Sequence, residues 1–225
     1  MKRSIFLILL FTLFIIKAQS QSFHAGFMLG PAITDIDGAD LTDNDNDFHK
    51  LGFSIGGLVN QKIGKHALAQ MELAFIQKGS SQPVNLDSSG RYLFVPYTIN
   101  LNYLDVSLLV KQGLGYSKKA NYDKFGVEFG LTMGNLVGSS FKDSSNMLIK
   151  GLTSINKFDL ELLAGVYYNF TPGFFLDVRY SNSIIHAIKH DAGFVNVYPY
   201  FTFQKGNNMV FQITLGFEFG NKKKE

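Results

Sequence analysis

Lys124-Phe-Gly-Val-Glu-Phe-Gly-Leu-Thr-Met-Gly134 decides the fold. Phe125, Val127, Phe129, Leu131 and Met133 occupy one parity. Gly126, Glu128, Gly130, Thr132 and Gly134 occupy the other. A period of two is the repeat of a β-strand, whose successive side chains leave opposite faces. One face here is large and apolar, and the other is small or charged.

The same pattern recurs along the chain. It predicts eight strands near 22–30, 51–61, 67–78, 99–112, 123–136, 156–170, 174–185 and 209–219. Phe23, Phe53, Met71, Leu108, Leu162, Val178 and Ile213 fall on the apolar face. Glu72, Lys78, Asp105, Lys111, Asp159, Glu161, Asp177, Arg179 and Glu218 fall on the polar one, with His24 and several glycines. Alternation alone fits two opposite solutions. A soluble lipocalin-like barrel points its apolar face inward, and a transmembrane barrel points it outward.

Three features favour the second. The polar face carries Gly26, Gly126, Gly130, Gly134, Gly165 and Gly216, and small residues suit the crowded inside of a narrow barrel. It also mixes both signs of charge, as a filled interior requires if buried charges are to pair. The connections near 61–66, 113–122 and 170–173 are short, whereas those near 31–50, 79–98, 137–155 and 186–208 are long and polar. Short periplasmic turns and long extracellular loops mark an outer-membrane barrel. The expected fold is therefore an all-β, antiparallel, up-and-down transmembrane β-barrel of eight strands. Both ends of the mature chain fall on the periplasmic side. Val197–Gln204 followed by Lys205-Gly-Asn-Asn208 reads as a hairpin, either projecting from a loop or adding strands. Tyr92, Phe94, Tyr97, Tyr167, Tyr168, Phe170, Tyr198, Tyr200, Phe201 and Phe203 near strand ends are read as interfacial girdles.

The chain start fits this address. Lys2 and Arg3 precede an apolar run from Ile5 to Ile16, and Ala18 and Ser20 stand at −3 and −1 of a cut before Gln21. This is the plan of a cleaved secretory signal over 1–20, leaving 21–225 as the barrel domain. The run is too short for a membrane-spanning helix, which needs about 20 residues. Loss of Lys2, Arg3 and Lys17 reduces the 21 Lys+Arg to 18, against 18 Asp+Glu. A mature chain of zero formal charge gives nucleic acid no basic patch to bind. The 225 residues include no cysteine, which excludes disulfides, thiol catalysis and cysteine-ligated metal.

With the strands laid out, the chain resembles the PorT-like outer-membrane β-barrel proteins of diderm bacteria. The matching stretches are 52–79, 101–113, 124–134, 162–184 and 210–219, with "LNYLDVSLLVK" (101–111) the most specific. Where that family reads Ile-Pro after the acid of this strand, Val106-Ser107 stands here. The resemblance implies outer-membrane lipid around the barrel and the barrel-assembly machinery as a partner during biogenesis. It implies possible links to envelope or secretion proteins, the latter because the namesake is associated with protein secretion and gliding. It implies no shared catalytic activity, and Phe217 and Phe219 resemble the aromatic-ended assembly signal, followed here by 220–225.

Candidate chemistry is sparse, and no cofactor is expected. Gly52-Phe-Ser54-Ile-Gly56 fits G-x-S-x-G, but a nucleophile elbow needs a strand–turn–helix setting and this motif lies within a strand. Asp43, Asp45 and Asp47 offer alternate oxygen ligands for calcium, but Phe48 replaces the glycine of an EF-hand loop, so a solvated acidic loop is the plainer reading. His186 and His190 are four apart, useful for metal only on a helix. His24 reads as a hydrogen-bonded interior residue. The carboxylates of the polar face could do acid–base work, but a narrow lumen favours an ion-pair network that leaves no open pore. The leading expectation is a non-enzymatic barrel acting through its loops. An outer-membrane lipid-modifying or proteolytic enzyme and a soluble ligand-binding barrel are the alternatives.

Overall fold

The computed structural model describes residues 23–37, 50–82, 88–90, 97–118, 122–142, 155–188 and 206–219. The long strands are β1 (Phe23–Asp37), β2 (Lys50–Lys62), β3 (Ala67–Gln82), β4 (Tyr97–Gly113), β7 (Phe125–Lys142), β8 (Phe158–Thr171), β9 (Phe174–Ser183) and β10 (Asn207–Phe219). They close into an antiparallel barrel in the order β1-β10-β9-β8-β7-β4-β3-β2. Closure by β1 against β10 leaves no free edge, the condition for strands to cross hydrocarbon. Two short strands, β5 (Tyr116–Ser117) and β6 (Tyr122–Asp123), form a hairpin inside the β4–β7 connection.

The apolar stripes face outward. Phe129 and Leu162 are each 58% exposed and Leu131 45%, whereas Glu128 and Asp159 are fully buried. Soluble monomers rarely expose a contiguous apolar surface of this kind, least of all in strand-by-strand alternation with buried charges inside. The inverse, lipocalin-like orientation is therefore overturned.

Inward glycines make room for neighbouring side chains. Gly126 is paired across the sheet with Tyr167, and Gly216 with Phe175. A Cβ on Gly126 would sit 2.6 Å from Tyr167 Cζ, and one on Gly216 would enter the Phe175 ring. Gly165 clears space for Glu128 and the Arg179 stem in the same way. Gly79, at φ +130°, supplies a backbone conformation that side-chain-bearing residues avoid.

Several strands run further than the sequence suggests. β1 continues through Gly30-Pro31 to Asp37, seven residues past the expected end near 30. The ladder to β10 is interrupted at these two residues, where proline has no N–H to give, while the ladder to β2 continues through Pro31 and Phe53. β7 extends to Lys142 through a bulge: Asn102 faces Gly138 and Tyr103 faces Leu136, leaving Val137 as the extra residue. The phase shift turns Phe141 inward. The turn read at 205–208 is corrected too, because Asn207 and Asn208 belong to β10 and Gly206 bridges to Ile188. The rest of the proposed hairpin, 194–205, lies outside the described residues, as do 1–20.

A sequence expectation also fails at the extracellular end. The inward face is not small and polar throughout. On β4, Leu104, Leu108 and Val110 face out, with Asp105, Ser107 and Lys111 inside. Above Leu104 the polarity inverts: Thr98, Asn100 and Asn102 point out, and Tyr97, Ile99, Leu101 and Tyr103 are buried. β1 inverts likewise, with Asp35 and Asp37 on the outward parity and Ile36 inside. On these two strands the upper barrel turns polar groups outward and apolar ones inward, although on β2 at the same level Lys50 is buried and Leu51 is 73% exposed. Strands of 15–18 residues exceed the roughly 9–11 needed to cross a bilayer, so this collar stands above the membrane.

Candidate functional site: the barrel interior

Position along the barrel sorts the interior into layers. At the top lies the apolar cluster of Ala32, Ile36, Ile76, Tyr97, Ile99, Leu101, Tyr103, Phe141, Ile188 and Val210. Tyr97 stacks on Phe141 with ring centroids 6.3 Å apart. This layer plugs the extracellular mouth.

Below it, one ammonium group gathers three carboxylates. Lys78 Nζ lies 2.9 Å from Asp105 Oδ2, 3.4 Å from Asp159 Oδ2, and in direct contact with Glu161 Oε1. Lys78 also sits 4.7 Å from the Tyr103 ring centroid. Neutral donors complete the shell: Ser183 Oγ to Asp159 at 2.6 Å, Asn208 Nδ2 to Asp159 at 2.8 Å, and Ser181 Oγ to Glu161 at 2.7 Å.

The lower cluster centres on Arg179. Its guanidinium donates to both oxygens of Glu72 at 2.7 and 2.8 Å, to Glu128 at 2.5 Å and to Asp177 at 2.6 Å. This fork uses the planar donor geometry that lysine lacks. Lys111 adds contacts of 3.2 Å to Asp177 and to Glu128. Its ammonium lies 4.6 Å from the Tyr167 centroid and 4.7 Å from that of Phe175. A chain of polar groups runs on toward the periplasmic mouth: Gln70 donates to Glu72 at 2.6 Å, and Asn60 to Glu218 at 2.8 Å.

Between the clusters is a cavity lined by Ser54, Glu72, Asp105, Ser107, Glu161 and Arg179 among others, with room for about one water molecule. Apolar plug and ion-pair layers together leave no continuous aqueous passage through the described interior. Such desolvated charges stabilise only while all partners are present, because each carries a large hydration cost.

The singled-out residues fare differently. Lys78, Asp105, Lys111, Glu128, Asp159, Glu161, Asp177 and Arg179 come together as ion pairs, joined by Glu72. Ser54 is buried in mid-strand and accepts a 2.6 Å bond from Gln212, with no elbow and, among the described residues, no hydrogen-bonded histidine. His186 is exposed and meets Asn207 at 2.7 Å, while His190, Asp43, Asp45 and Asp47 lie outside the described residues. His24 is half-buried in β1, opposite Asn60. Among the described residues no group of three metal-ligating side chains converges. The girdle assignment is corrected at Tyr97 and Tyr167, which point inward, while Tyr168 and Phe170 do face out. Tyr92, Phe94, Tyr198, Tyr200, Phe201 and Phe203 lie outside the described residues. Phe27, Phe217 and Phe219 supply an outer aromatic patch instead, with centroids 5.2–6.0 Å apart.

Sequence reasoning missed the clamp at the periplasmic end. His66 Nδ1 lies 3.0 Å from both carboxylate oxygens of Asp123, and its ring packs edge-on against Tyr116 at 5.3 Å. The two residues are 57 apart in sequence, and neither stands in a motif.

A closed eight-stranded barrel with a lipid-facing apolar exterior and a sealed ionic core defines an outer-membrane β-barrel protein. The chain belongs to the outer membrane protein beta-barrel domain family, whose model matches residues 18–189. Among solved structures, the crystal structure of Neisserial surface protein A is similar at 13% identity, covering 89% of this chain and 100% of that one, with a TM-score of 0.47. Ail, the attachment invasion locus protein of Yersinia pestis, is similar at 12% identity, covering 88% of this chain and 99% of its own, with a TM-score of 0.45. No curated protein sequence matches significantly.

Proposed function

We propose that this outer-membrane barrel is a non-enzymatic interaction protein. The barrel is a rigid stand, and the long connections at its extracellular end, 38–49, 83–96, 143–157 and 184–206, make the contacts. The observation that carries this reading is the sealed lumen. An interior spent on ion pairs and an apolar plug is ill suited to passing solutes, which leaves display as the use of the fold. Within its family we place the chain with the PorT-like proteins, on the stretches quoted above, and its partners among envelope or secretion proteins. We further propose export through a signal over 1–20, cleaved before Gln21.

The test shortens each long connection in turn to a Gly-Ser linker. Heat-modifiable gel mobility confirms that the barrel still folds, and photo-crosslinkers in the remaining loops report contacts on intact cells. Loss of a specific envelope-protein crosslink with the barrel intact is the expected result. Unchanged crosslinks after every shortening would overturn the reading. So would phospholipase, acyltransferase or protease turnover by the folded barrel that Ser54→Ala or Asp159→Asn abolishes.

A further inference from the structure

We infer that the periplasmic rim carries a binding surface for anionic phospholipid headgroups, built on Lys62, Lys65, Lys118 and Lys124. Lys62 ends β2 and Lys65 lies in the β2–β3 turn, while Lys118 lies between β5 and β6 and Lys124 directly follows β6. All four are exposed. The carboxylates of this end are committed elsewhere: Asp123 is clamped by His66, and Glu218 accepts from Asn60. Among the described residues, the exposed charged side chains of the rim are these lysines, with Asp123 and Glu218 half-buried beside them.

The turns are held as one platform. Gly113 N donates to His66 O at 2.7 Å, which fixes the β2–β3 turn against the end of β4. Lys124 N donates to Gly115 O at 2.9 Å, and Asn169 N to Lys124 O at 2.7 Å. Asn169 Nδ2 reaches Asp123 O at 2.7 Å, and Tyr122 Oη reaches Phe170 O at 3.0 Å. The lysines thus sit on backbone tied to three successive stretches of the barrel wall.

Apolar neighbours decide for a bilayer over a soluble polyanion. Ile63 is 53% exposed, Leu114 61% and Tyr116 47%, and each lies within a few residues of these lysines. Greasy side chains beside flexible ammonium groups suit the interface, where stems stay in hydrocarbon and charges reach the phosphates. A soluble anionic polymer would leave Ile63 and Leu114 in water.

Electron spin resonance with spin-labelled lipids in reconstituted phosphatidylcholine bilayers tests this. Labelled phosphatidylglycerol should associate with the barrel about fivefold more strongly than labelled phosphatidylcholine, the factor for one lysine at a charged surface. The preference should fall with added salt. It should nearly vanish in the Lys62→Gln, Lys65→Gln, Lys118→Gln, Lys124→Gln variant, which changes only exposed side chains. Lys142→Gln with Lys157→Gln, at the opposite end, should leave it intact. No preference in the native barrel, or a preference that survives the quadruple change or is lost in the control, would overturn the inference.

Discussion

Replacing Lys78 with methionine removes the cation that, among the described residues, alone pairs with the upper carboxylates, while keeping a side chain of similar length. In the native barrel its ammonium serves Asp105, Asp159 and Glu161, all buried to 6% exposure or less. Without it three carboxylates share a sealed pocket with neutral donors alone. Breaking a buried ion pair by removing one partner costs about 3–5 kcal/mol. With a urea dependence of about 2 kcal/mol per M, a 4 kcal/mol loss moves the unfolding midpoint down by about 2 M. Heat-modifiable gel mobility across a urea series in lipid bilayers reads this directly. Adding Glu161→Gln and Asp105→Asn to Lys78→Met should recover much of the loss, because fewer unpaired charges remain. That recovery measures coupling rather than lost packing. If Lys78→Met unfolds at the native midpoint, or the added amides lower it further, the ion-pair account of the lumen is wrong.

Other expectations follow from the same geometry. Arginine at Phe129 or Leu162, on the lipid face, should weaken folding into vesicles by about 2–4 kcal/mol if the site lies near the bilayer midplane. Gly216→Ala drives a methyl into the Phe175 ring and should cost about 1–3 kcal/mol, with partial rescue by Phe175→Leu, both read by urea midpoints. Purified barrel in planar bilayers should show no persistent conductance, and steady channel openings would contradict the sealed interior.

Much of the wall was legible because it obeys one period. Each of the eight strands has the facing that its parity implies, from Phe23 outward to Glu218 inward. What escaped depends on terms that parity does not contain. The collar was hidden because Tyr97, Ile99, Leu101 and Tyr103 keep the alternation while reversing its sense above the membrane. The alternation predicts a first strand ending near 30, and only the two-sided register shows that it runs on past Pro31, with the ladder to β10 skipping that residue and the ladder to β2 including it. Charged residues of the polar face could be named as mutual partners, but not matched. Lys78 meets Glu161, 83 residues on, through the register of several strands. The His66–Asp123 clamp carries no periodic signal at all. Ser54 shows the reverse: a motif match that burial in a strand explains away.

The native chain has no cysteine, so spin labels on single cysteines can be walked along β4 from 98 to 112 without background. Oxygen collisions should peak at 104, 106, 108 and 110, and collisions with a water-soluble nickel complex at 98, 100 and 102. Oxygen maxima at 103, 105, 107 and 109 instead would place the ionic face in the bilayer and contradict the account.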